Sequence, residues 1–354
     1  MNTTEQSTKV YSKPKRTMTE DSALHLVRDF KLPPAGFNVL TASKRELQIY
    51  GFPTRPDAEK HPRQAALWDN FAARQLRFVQ PKLVPLRDRA ISKVRDFKAR
   101  ELSADIYLKD VIKRRLDIIG IHECWIVPLT SSNWSGAVVN RPPSEPLVTV
   151  TGQWVVPSVS PPQSAWNGTG YNDGTYMCAA WVGLDGTNGT NDVLQAGTTS
   201  QVNVSGGQVV STSYFAWIEW FGNAWQVEPD FPVNPGEAIL CTVCAPFGSA
   251  HGTAMFTNQT TGLHANYGIE PPDGVTLSGN VAEWIVEDPG QIGGPLYPFP
   301  NYGLTTFQNC SAGTKDISLN LSGACPINLV DSSGKVISEG TFLSDSGLMC
   351  NFLS

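Results

Sequence analysis

Basic residues almost vanish from the larger part of this 354-residue chain: residues 131–354 contain Arg141, Lys315 and Lys335 and no other Lys or Arg. The same stretch holds 17 Asp and Glu, so few of its carboxylates can depend on a cationic partner. Histidine is nearly as scarce there, with His251 and His264 alone. Two are too few for a histidine-based metal site, although either is available to pair with a nucleophile. Long apolar runs are missing as well. None approaches the roughly 18 residues of a membrane-spanning helix, which predicts a soluble chain with no membrane partner. The polar, basic start MNTTEQSTKVYSKPKRTMTE lacks the apolar core of about 7–15 residues that a secretory leader needs.

The familiar catalytic patterns are absent too. There is no GxSxG elbow, no HExxH, no P-loop and no GxGxxG between a strand and a helix. Asp345-Ser346-Gly347 mimics an aspartic-peptidase triplet but stands too near the C-terminus for a second lobe to follow. Cys241 and Cys244 have CxxC spacing inside the strand-like run AILCTVCAPF. Positions three apart on a strand face opposite sides, which argues against a redox or zinc pair.

What is present divides the chain in two. Residues 1–130 carry 24 Lys and Arg against 15 Asp and Glu, a surplus of nine positive charges, whereas residues 131–354 have a surplus of fourteen negative ones. Such a split marks modules with different tasks. In the basic module the bases are interleaved with acids and no aromatic-and-basic motif appears, so nucleic acid is not the expected partner. Its charge suits the acidic module instead. A domain almost without bases tolerates acid, because protonated carboxylates leave little residual charge to drive it apart. A merely soluble or salt-adapted acidic surface is the other reading of the same composition.

Texture divides along with charge. The first 20 residues are polar and read as disordered. Helical spacing follows over 63–79, with Ala66, Trp68, Phe71, Ala72 and Leu76, and over 88–117, with Ile91, Val94, Phe97 and Leu102. From Ser131 the chain turns to short β-branched and aromatic runs punctuated by Gly, Pro and Asn, predicting an all-β antiparallel sandwich or barrel. The expected organisation is therefore a basic, mainly helical segment at 1–130 and an acidic β domain at 131–354.

Several polar residues sit inside those apolar strands. In NVAEWIVED, alternation puts Val281, Glu283, Ile285 and Glu287 on one face. With bases so few, Glu283 is expected to lack a cation and to hold its proton more tightly on burial. In FAWIEWFG, Phe215, Trp217, Glu219 and Phe221 share a face, as a groove for a polymer would need. In WVGLDGTNGTNDVLQAGT, Trp181 and Asp185 precede a polar loop, and Gln195 opens the next strand, where its amide can donate to a developing oxyanion. The Asp-rich loop could equally hold calcium, as in a lectin-like carbohydrate-binding sandwich.

Taken in order, NWSGAV (133–138), GQWVVP (152–157), WVGLDG (181–186) with VLQAG (193–197), AWIEW (216–220) and AEWIVED (282–288) resemble the glutamic peptidases, or eqolisins. The resemblance implies a concanavalin-like sandwich of two antiparallel sheets and an acid endopeptidase that is insensitive to pepstatin, needs no cofactor or metal, and acts on polypeptides. It carries a catalytic pair onto Glu283 and Gln195. Trp181, Asp185, Trp217 and Glu219 match positions that line and support the cleft. Phe215 and Phe221 depart from the fungal pattern, in which Asp and Tyr are expected. Family members carry a basic N-terminal extension that covers the enzyme and is removed in acid, which would make residues 1–130 an internal inhibitor. LTASKRELQIYGFPTRPD resembles the leader region of bacterial-type members. Secretion as a monomer is the expectation that follows.

Overall fold

The computed structural model describes residues 27–80, 82–85, 128–187, 193–220, 223–227, 231–245, 251–271, 275–290 and 296–353. The polar first 20 residues and the helical pattern at 88–117 lie outside them. None of the described helices is long and apolar enough to cross a membrane.

The acidic domain is built almost wholly of strands that alternate between two environments. One sheet orders β13 (Leu263–Ile269), β12 (Gly252–Asn258), β11 (Ala238–Cys244), β6 (Leu147–Val155) and β15 (Leu304–Thr314). The other orders β10 (Asn223–Val227), β9 (Gln208–Trp220), β8 (Val193–Ser205), β7 (Gly174–Asp185), β14 (Val281–Glu287), β5 (Trp134–Asn140) and β17 (Cys325–Val330). The short β16 (Ser318–Leu319) pairs with the end of β15, and two further strands, β18 (Val336–Ser344) and β19 (Gly347–Phe352), link β17 to β15 and join the sheets along one side.

Between the sheets lies the main core. Val150, Trp154, Val182, Leu184, Leu194, Ala196, Ile218, Trp220, Trp284 and Phe307 all belong to it. Their neighbours in sequence face the other way: Trp134, Val138, Ala179, Trp181, Phe215, Trp217, Val281 and Ile285 form a second apolar cluster on the outer face of the second sheet. Period-two alternation thus produces one buried layer and one functional surface from the same strands. Cys241 joins the core while Cys244 lies on the opposite face of β11, and both thiols are free.

The described N-terminal residues decorate this sandwich at its edges and on one face. Three short strands, β1 (Val27–Asp29), β2 (Arg77–Phe78) and β3 (Leu83–Pro85), extend the edges: β1 and β2 pair with β13, and β3 pairs with β10. A fourth, β4 (Leu129–Ser131), runs parallel to β17. Helix α1 (Lys44–Ile49) begins with a capping box in which Ser43 and Glu46 satisfy each other's backbone N–H, and α2 (Pro62–Ala72) begins with Pro62 at its first turn. The expected helical face needs one correction. Ala65 is buried and Ala66 exposed, because the helix turns its Trp68–Phe71–Ala72 stripe toward the first sheet. Leu76 lies beyond the end of α2.

These helices rest on the outer face of the first sheet. Leu240 and the ring of His264 meet a cluster of Phe37, Phe52, Trp68, Phe71 and Phe78 there. They therefore lie across the sandwich from the face that carries Glu283.

Candidate active site

A single transverse row assembles most of the polar residues. From strand to strand it reads Val138 on β5, Glu283 on β14, Gly183 on β7, Gln195 on β8 and Glu219 on β9. Directly opposed residues point to the same side of a sheet, so Glu283, Gln195 and Glu219 share the outer face. Two strand spacings, about 9–10 Å between Cα atoms, separate Glu283 from Gln195. Gly183 stands between them. A Cβ at that position would lie 3.1 Å from Glu283 Oε2 and 3.2 Å from Gln195 Cβ. The missing side chain leaves room beside Trp181 for the Glu283 carboxyl and the stem of Gln195.

Further bonds fix these groups. Gln195 Nε2 donates to Glu219 Oε2 at 2.6 Å, so a carboxylate that can only accept turns the NH₂ end of the amide toward β9. Trp181 Nε1 donates to Glu287 Oε2 at 2.9 Å, and Asn133 Nδ2 donates to Glu287 Oε1 at 3.2 Å. The Trp134 and Trp181 rings meet edge to face at 5.0 Å beside them. Burial holds the Glu287 carboxyl well above the usual carboxylate range, and the nearby charges of Glu219 and Asp288 push it the same way, against hydrogen bonds from Trp134 and Trp181. Sequence reading puts Glu287 on the Glu283 face but gives it no role. Its indole and amide partners, Trp181 and Asn133, lie more than a hundred residues away, beyond the reach of local pattern.

Asp185 is committed elsewhere. It takes a left-handed backbone conformation, φ 66°, at the end of β7, and its carboxylate accepts the backbone N–H groups of Ser278, Gly279, Asn280 and Val281 at 2.6–3.3 Å. Those residues lead directly into β14. Asp185 thus sets the entry of the strand bearing Glu283 rather than offering its oxygens to a ligand. Burial raises its pKa even though all four N–H groups favour the charged form.

Trp181 and Trp217 complete the apolar surround, and Phe215 packs with them. Phe221 lies outside the described residues. Gln195 and Glu283 are both 0% exposed, so the face is closed to a macromolecule in this state. A cavity of about 1030 Å³ lies instead on the first sheet, between α2 and the outer faces of β6, β11 and β12.

Residues 132–352 match the Peptidase A4 family. This chain belongs to the Peptidase A4 family. Among curated members, aspergillopepsin-2 of Aspergillus niger is 34% identical over 233 residues, covering 61% of this chain and 76% of the relative. Scytalidopepsin B of Scytalidium lignicola is 28% identical over 202 residues, covering 54% and 68% respectively. Among solved structures, scytalido-glutamic peptidase with a transition state analog inhibitor aligns with a TM-score of 0.52 at 23% identity, over 63% of this chain and 99% of that one. Its likeness bears on the fold alone. Membership makes the chain a peptidase, and the matched span coincides with the acidic sandwich.

Proposed function

We propose that this protein is an acid-acting endopeptidase in which Glu283 and Gln195 together activate a water molecule. The observation that supports the reading is that one transverse row sets Glu283 and Gln195 on the same sheet face, on the strands either side of Gly183. In this mechanism ionised Glu283 takes a proton from water as it attacks the scissile carbonyl, and the protonated Glu283 then passes that proton to the leaving amine. Gln195 holds the water and donates an amide N–H to the oxyanion of the tetrahedral intermediate. Glu219, by accepting one N–H of that same NH₂ group, orients Gln195 and leaves the second N–H for the oxyanion. Trp181 and Trp217 form the wall for a polypeptide substrate.

Closure of the face favours a precursor state. Residues 1–130 are read as a basic inhibitory segment and 131–354 as the catalytic domain, with acid loosening their attraction as carboxylates take up protons. Secretion as a monomer fits an enzyme made inactive and switched on by its destination.

Incubation with denatured protein at about pH 3–4 tests this assignment. Hydrolysis is expected to continue in the presence of chelator and of pepstatin. Glu283→Gln is expected to cost up to about ten-thousandfold in turnover, and Gln195→Ala about a hundred- to a thousandfold, each with an unchanged thermal unfolding midpoint. Substantial activity in either variant would overturn the dyad. Calcium-dependent retention on glycans without hydrolysis would favour the lectin-like alternative.

A further inference from the structure

The cavity of about 1030 Å³ beneath α2 has the makings of a second site. Its roof comes from the N-terminal segment, with Pro53, Pro56, Leu67, Trp68 and Phe71, and its floor and sides from the sandwich, with Leu240, Met255, Pro146 and Ile317. Small-molecule sites are concave, mostly apolar and about 300–1,000 Å³ in volume, with a few polar groups that orient the ligand. We propose that this cavity binds a free fatty acid, its apolar chain between α2 and the first sheet and its carboxylate at Arg141 and Lys315. The inference does not depend on the proposed catalytic pair, which lies on the other sheet.

The placement of charge points to an anion. Residues 131–354 contain three bases, and two of them, Arg141 and Lys315, line this one cavity. Two acids, Glu145 and Asp316, line it as well, but each has a cation of its own: Glu145 is paired with Arg141 Nη2, and Asp316 lies 3.9 Å from Lys60. Lys315 belongs to no ion pair among the described residues. Arg141 Nε is buried and has no hydrogen-bond acceptor among them either. A guanidinium has more N–H donors than one carboxylate can occupy, so Arg141 can serve Glu145 and a second acceptor together. A ligand carboxylate would gain charge-assisted bonds there, in a domain otherwise dominated by negative charge.

The floor is polar in places but uncharged. Thr151 Oγ1 and Thr242 Oγ1 are 2.9 Å apart, and Thr257 Oγ1 lies 2.9 Å from His264 Nδ1. Burial lowers His264 to about 3 and pushes Cys244 up to about 11, which leaves both neutral at pH 7. The fitting occupant is therefore neutral along its length and charged at one end, which disfavours a polyanion such as a nucleotide. Because roof and floor belong to different parts of the chain, a bound acid also holds α2 against the sandwich, by an amount that grows with ligand concentration. Losing the N-terminal segment would remove half of the site.

Calorimetric titration of the full chain at pH 7 with octanoate, decanoate and dodecanoate, each below its micelle concentration, tests the proposal. Affinity is expected to rise about fourfold for each methylene added. Decanol, which lacks the charge, is expected to bind about tenfold more weakly than decanoate, and Arg141→Gln and Lys315→Gln are each expected to narrow that gap with an unchanged unfolding midpoint in the absence of ligand. In parallel, dodecanoate is expected to raise hydrogen-exchange protection of α2 and β11 and to leave the β8–β9 hairpin unchanged. Decanol binding as tightly as decanoate, affinity indifferent to both substitutions, α2 protection unmoved by bound acid, or no binding at any chain length would each overturn the proposal. Adsorption to phosphatidylglycerol vesicles without uptake of the free acids would assign the two bases to a membrane surface and overturn it as well.

Discussion

The two outer faces of the sandwich respond to acid in opposite directions. On the second sheet, Glu287 and Asp185 hold their protons more tightly than free carboxyls because both are buried. The folded state there binds more protons than the unfolded one, so its stability is fully present below the ordinary carboxylate range and is lost as pH rises through and above it. On the first sheet, His264 is wedged among Phe52, Phe71 and Phe78, with Thr257 and Asn266 as its polar contacts. Burial lowers its pKa to about 3 from an ordinary 6.5. The folded state there binds fewer protons, so stability drains away as pH falls from about 6.5 toward 3. Acid therefore favours the catalytic face and loosens the seat of the N-terminal helices. A structural task is sufficient to explain His264, which has no part in the proposed chemistry.

The largest effect is expected where the catalytic face meets its support. Asp185→Ala removes the acceptor for four backbone N–H groups and is expected to destabilise the domain by about 2–3 kcal/mol or more, since buried donors would be left unsatisfied. Denaturant unfolding at pH 4 measures it. An effect below about 0.5 kcal/mol would mean that residues 278–281 hold their course unaided. Activity is expected to fall as well, through displacement of Glu283.

Next comes Glu287→Gln, which keeps an acceptor for the indole of Trp181 and removes the ionisation. Between pH 4 and pH 8 the wild type is expected to lose stability relative to the variant, because the proton that Glu287 retains in the folded state is given up as pH rises. Parallel curves would show that Glu287 does not govern the acid preference of this face. The mirror experiment is His264→Gln. Hydrogen-exchange protection of α2 is expected to fall in the wild type between pH 6.5 and 3 and to stay nearly level in the variant. If protection is equally pH-dependent in both, the helices are released by some other group.

How much of this was legible in the chain depends on the range of the interactions. Period-two alternation put Glu283 with Glu287, and Trp217 with Glu219, on the faces of their own strands, because a strand's facing is a local property, whereas only the register between strands sets these residues and Gln195 on one side. The motifs ordered those strands within a family. Asp185 reads as a cleft residue from its motif, and only contacts with residues 278–281, more than ninety positions away, reveal it as an anchor. The seat of the N-terminal helices was equally hidden. Strands of two and three residues such as 77–78 and 83–85 carry no period to detect, and the offset between Ala65 and Ala66 is decided by the sheet beneath α2, not by the helix itself. Composition separated the two modules but was silent on which face one would occupy against the other.

The smallest effect tests whether surface charge adds to that seating. Arg63 of α2 is paired with Asp345 in the turn between β18 and β19, and Lys60 lies 3.9 Å from Asp316. The Arg63 guanidinium holds the Asp345 carboxyl below its usual range, so this contribution is present above that range and lost as pH falls through it. Both partners are about half exposed, where water and salt screen the attraction strongly. Arg63→Ala is therefore expected to reduce the protection of α2 only slightly at pH 7 and low salt, and not at all at pH 2 or in 1 M salt. A loss as large as that produced by titrating His264 would shift the weight of the acid response from the buried imidazole to the exposed ion pair.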